Sequence, residues 1–128
     1  MKNALLTFVF AACCITAFGR SAMDRWPALK SFHEVIAATF HPSQEGKLQP
    51  VKTKIDELCS RAESLTTAPK PSEYNTPQVD AAIAKLNKNA KELKVLITKK
   101  APDAQIKAKL ATVHKCFHEI VDMTVKEE

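Results

Sequence analysis

The stretch TPQVDAAIAKLNKNAKELKVLITKK (residues 76–100) decides the fold class. Thr76-Pro77 is a helix start. A threonine caps the first free N–H groups, and a proline at the first helical position loses no bond there. Val79, Ile83, Leu86, Ala90, Leu93 and Ile97 then recur by threes and fours, which puts them on one stripe of a helix with lysines and amides opposite. Lys99-Lys100 fall in the last turn, where cations suit the helix dipole.

The same period extends in both directions. Downstream, Ala101-Pro102-Asp103 is a short break, and Ile106, Leu110, Val113, Phe117, Ile120 and Thr124 carry a stripe to about Lys126. Upstream, Leu48, Val51, Ile55, Leu58, Ala62 and Leu65 make a seam in a helix that starts at about Lys47 or Pro50. Pro50 is tolerable only in its first turn. The segment from Thr66 to Asn75 holds Pro69 and Pro71 among small polar residues. It reads as a long loop packed over one end, with Tyr74 as its anchor. A first helix is expected from Met23 to His41. It carries Leu29, Phe32, His33, Ile36 and Phe40 on one stripe, and Pro42 ends it. No segment alternates as a strand does. The fold class is all-α. Short links predict an antiparallel up-down-up-down four-helix bundle.

The N-terminus has a different composition. Lys2 precedes an uncharged, mostly apolar run from Ala4 to Phe18, too short to span a bilayer comfortably. It reads as a secretory signal peptide, residues 1–19, cleaved after Gly19 of Ala17-Phe18-Gly19. Cleavage after Ala22 would set Arg20 where a small side chain is wanted. Cys13, after Ala11-Ala12, leaves a lipoprotein reading open, although Phe10 stands where a lipobox has leucine. Residues 20–128 form the bundle, one domain large enough for a single core, in a periplasmic or secreted setting. Cys59 and Cys116 remain in it. They either bridge, as an oxidising compartment permits, or pack as small hydrophobes.

The chain carries a formal net charge of +5, and loss of Lys2 with the leader removes one unit. The lysines are interspersed with acids and have no aromatic partners, which excludes a nucleic-acid stripe. No Ser-His-Asp or Cys-His arrangement and no glycine-rich phosphate loop can be placed, so an enzyme is not expected. No later segment is apolar enough to span a membrane.

All four histidines fall on the first and last helices. His33 lies about 40° and His41 about 120° from Leu29, at 3.6 residues per turn. His114 lies about 80° and His118 about 120° from Ile106 on the same count. Each helix thus carries imidazoles along one flank of its apolar stripe. Phe32-His33-Glu34-Val35 is echoed by Phe117-His118-Glu119-Ile120, a pairing that sets His33 across from His118 and His41 toward His114. Neutral imidazole is the commonest metal ligand. A cluster of three or four suits copper, zinc or nickel, held between facing bundle helices. His33 and His41 are about 12 Å apart along the axis at 1.5 Å per residue, so one of them completes a site with His114 and His118, or there are two sites. Glu34 and Glu45 are candidates for a fourth ligand or for accepting a ring N–H. Cys116 and Glu119 project away from the histidines and are not counted. The expected partner is a metal ion, and a homodimer is left open; the alternative without an ion is a metal-free periplasmic interaction module whose histidines are pH-sensitive or simply tolerated.

The element order, the proline-rich middle loop and the run Val113-His114-Lys115-Cys116-Phe117-His118 resemble the cytochrome c-prime and soluble b-type cytochrome bundles. The whole of residues 20–128 resembles them in architecture. The c-prime proteins attach haem through Cys-x-x-Cys-His. Here Val113 stands at the upstream cysteine and Cys116-Phe117-His118 follows, a departure from that motif. The b-type proteins use a methionine from the first helix and a histidine from the last. Met23 lies ten residues before His33, near the helix start and short of His118. What the resemblance implies is haem b on His33 and His118, the lesser alternative to a bare ion. Phe32-His33-Glu34, Phe40-His41-Pro42 and Phe117-His118-Glu119 are also similar to small exported bundle proteins of bacteria, which implies a periplasmic location.

Overall fold

The computed structural model describes residues 22–125. The leader, its cleavage point after Gly19 and Cys13 lie outside the described residues. The elements of the described residues are all helical, in the order α1 (Ala22–Arg25), α2 (Pro27–Gln44), α3 (Gln49–Thr67), a 3-10 turn (Ser72–Tyr74), α4 (Pro77–Thr98) and α5 (Asp103–Val125). The four long helices pack as a bundle. α2 lies against α3 and α5, and α4 lies against the same two. No helix among the described residues is long and apolar enough to cross a membrane.

Most elements begin and end where the sequence places them. The Thr76 hydroxyl accepts from the Val79 N–H at 3.2 Å, with Pro77 following. Pro50 sits in the first turn of α3. Tyr74 is buried, stacks on Trp26 at 5.8 Å and donates its hydroxyl to the Thr124 carbonyl at 3.3 Å. Arg25 reaches both Tyr74 and Glu73, which binds α1 to the loop. The loop is therefore an anchored cap over one end of the bundle.

The first helix differs from its expected form at both ends. It is split at Trp26 (φ −128°, ψ 85°) because the ring of Pro27 bars the preceding residue from helical geometry. It also runs past Pro42 to Gln44. Pro42 removes one N–H in the last turn, but its own carbonyl accepts from Lys47 N–H at 3.0 Å. Gly46 N–H bonds the Ser43 carbonyl, also at 3.0 Å. This pair of bonds is a Schellman cap. It needs a left-handed residue, which Gly46 supplies at φ +82° without a Cβ penalty. The Ser43 hydroxyl donates to the Phe40 carbonyl at 2.6 Å. α4 ends in the same way, with Ala101 N–H on the Leu96 carbonyl and Lys100 N–H on that of Ile97. Lys100 takes the left-handed position at φ 57°, so the helix stops at Thr98 and the two lysines fall just beyond it.

Most of the stripe residues read above form the core, with Trp26, Phe32 and Phe117 the largest side chains in it, but Phe40 and Ile97 are only partly buried and His33 is exposed. Cys59 and Cys116, the cysteines among the described residues, are free and do not bridge. Cys59 contacts the Ala90 carbonyl and Cys116 the Asn89 amide, each on α4, and burial pushes both thiols up. Of the four helix pairs, α2 and α5 approach least closely. Small residues, Ala62 on α3 and Ala82 and Ala90 on α4, are buried elsewhere in the core. Between α2 and α5, Phe32 and Phe117 meet at 5.6 Å and set the helices apart. The histidines lie along this wider seam.

Candidate metal centre

A cavity of about 230 Å³ opens along the α2–α5 seam, and all four histidines of the chain line it. Its walls are otherwise Met23, Ile36, Ala37, Phe117 and Val121. His33 and His41 come from α2, His114 and His118 from α5. The flank positions read from helical periodicity therefore do face one cavity. His33, His41 and His118 are exposed and His114 is half-buried, so an ion has a direct approach.

His114 and His118 are one turn apart on α5, and their Nε2 atoms are 3.2 Å from each other. Two nitrogens bound to one tetrahedral ion at about 2.0–2.1 Å stand about 3.3–3.4 Å apart. The pair thus holds its donors at a separation that one ion can bridge. At this distance the contact is a hydrogen bond when one ring carries its proton on Nε2 and the other presents a lone pair there.

Aromatic neighbours orient the rings. Phe40 stacks on His114 at 3.8 Å with an interplanar angle of 8°, and Phe117 stacks on His33 at 5.7 Å. In each case a phenylalanine of one helix covers an imidazole of the other. Burial under this cover lowers the His114 pKa, and positive charge on His118, His41 or His33 lowers it further. The neutral ring, which is the ligand form, is favoured.

The two glutamates lie elsewhere. Glu34 reaches Arg61 on α3 at 3.5 Å, and Glu45 reaches Lys47 at 3.4 Å, both on exposed surface. Neither lines the cavity. Glu119 pairs with Lys85 at 3.3 Å, on the surface between α4 and α5. Among the described residues, no three or more His, Cys, Asp or Glu side chains stand close enough together to hold a metal ion. The arrangement is a close imidazole pair with two further histidines around the same cavity.

Sequence reasoning missed Met23. Counted along one continuous helix it falls short of His118, but the chain breaks at Trp26. α1 packs against both α2 and α5, and Met23 lines the cavity together with His118. The signal was the Trp26-Pro27 pair, which forbids an unbroken helix there. Comparison of the chain with protein-family models, curated proteins and solved structures finds no match.

Proposed function

We propose that the protein binds a transition-metal ion (copper, zinc or nickel) at an interhelical histidine site between α2 and α5. On this reading it is an exported, periplasmic or secreted bundle whose short links turn each long helix back on the last, in up-down-up-down order. His114 and His118 are the primary ligands. His33 or His41 completes the set by rotating an exposed ring toward the pair. The role is binding, not catalysis.

One observation carries this: every histidine of the chain lines a single cavity, and two of them hold their Nε2 atoms 3.2 Å apart. A row of unrelated surface histidines has no reason to converge from two helices. Haem b is the lesser reading. Met23 and His118 share the cavity, but its 230 Å³ is smaller than the roughly 300–1,000 Å³ of pockets that take organic ligands.

Thermal melts with excess copper, zinc and nickel test the proposal. At free ion of about 100 times Kd, linkage adds about 2.7 kcal/mol. In a domain of about 100 residues that raises the melting temperature by roughly 10 °C or more. An unchanged melting temperature with all three ions contradicts the site. The effect is expected to fade below about pH 6, because protons compete for imidazole. The sign for the ion-free protein is the same. The His114 pKa is lowered in the fold, so its contribution to stability is present above the ordinary imidazole value. That contribution is lost as pH falls through the depressed one.

A further inference from the structure

We infer that the ion selected at this site is copper(I), with the Met23 thioether as one of its ligands. This rests on the metal-binding reading and adds to it the ion and a fifth residue. Imidazole alone does not discriminate among copper, zinc and nickel. A thioether does, because soft sulfur donors favour copper(I) and contribute little to the harder divalent ions. Met23 is partly buried and lines the same cavity as His114 and His118, although it belongs to a different helix from either pair of histidines.

The rest of the lining points the same way. Among the described residues no carboxylate faces the cavity, and Glu34 and Glu45 are paired with cations outside it. An uncharged donor set in a wall of Ile36, Phe117 and Val121 gives no anion to neutralise a dication. The cavity is open to solvent on one side, but the rest of its wall is apolar and holds no counter-charge, so a monovalent ion, which needs less compensation than a dication, is the better guest. Copper(I) also accepts two or three ligands. His114, His118 and Met23 therefore suffice, without the four-donor cage that structural zinc requires.

The test is an anaerobic titration of the protein and its Met23→Leu variant with copper(I), held at known free concentration by a competing copper(I) chelator. A parallel titration uses zinc. Leucine keeps the volume and apolar character of methionine, so the packing of α1 is retained. The expected result is that Met23→Leu weakens copper(I) binding about tenfold or more, a loss typical of disturbing a metal site, while zinc binding is unchanged. X-ray absorption at the copper edge should show a sulfur neighbour in the wild type and none in the variant. Binding of zinc or copper(I) by the wild type with no selective loss in Met23→Leu overturns this inference and leaves the histidine site standing. Failure of the wild type to bind either ion, or a Soret band on haem addition in place of ion binding, overturns the histidine ion site and this inference with it.

Discussion

Replacing His114 and His118 together by alanine is expected to abolish transition-metal binding, with a loss of affinity above about a hundredfold. That exceeds the 10- to 100-fold typical of losing only a supporting partner of a ligand. The two rings contribute the close donor pair, and no other two histidines are in such contact among the described residues. Calorimetric titration measures the loss. Circular dichroism should show the bundle intact, since His118 is exposed and His114 only half-buried. Glu119→Ala should bind as the wild type does, because Glu119 turns to Lys85 on another face of α5. A double variant that keeps wild-type affinity would contradict the assignment of both ligands.

The second large effect is on stability. Phe32→Ala should destabilise the bundle by about 3–5 kcal/mol, the usual cost of truncating a buried phenylalanine and leaving a cavity. Phe32 is fully buried and its ring meets Phe117 at 5.6 Å, a tilted contact worth a further fraction of a kcal/mol or more. Against a total stability of about 5–15 kcal/mol, this would bring the protein close to unfolding at room temperature in the lower part of that range. Denaturant unfolding checks it, and a change below about 1 kcal/mol would contradict the packing described. The site should also suffer. Phe117, which also stacks on His33, loses the buried neighbour it packs against on α2.

Much of this was legible in the sequence for a physical reason. Apolar stripes at three-four spacing have few other ways to be buried, and Thr76-Pro77 is a start signal whose hydrogen bond is local. The positions of the histidines on the edges of two stripes follow from the same periodicity, so their convergence could be anticipated once the first and last helices were paired. What was not legible depended on backbone junctions and on side-chain reach. Pro42 looks like a terminator, yet Gly46 four residues later supplies the left-handed cap that lets the helix run on to Gln44. Trp26 looks like a helical residue until the constraint imposed by Pro27 is applied, and that break is what brings Met23 to the cavity. Glu34 stands beside His33 in sequence, but an exposed glutamate turns to whichever cation packing brings near. Here that is Arg61, contributed by a helix whose register the local sequence does not encode.

The most direct measurement is two-dimensional nitrogen NMR of the four imidazole rings during titration with zinc and, anaerobically, with copper(I), each of which gives a diamagnetic complex. The account predicts that the Nε2 resonances of His114 and His118 shift together, saturating at one equivalent, with His33 or His41 moving at the same stoichiometry. Ring nitrogens that stay at their ion-free positions through an excess of both ions, or that drift independently with no common end point, would contradict it.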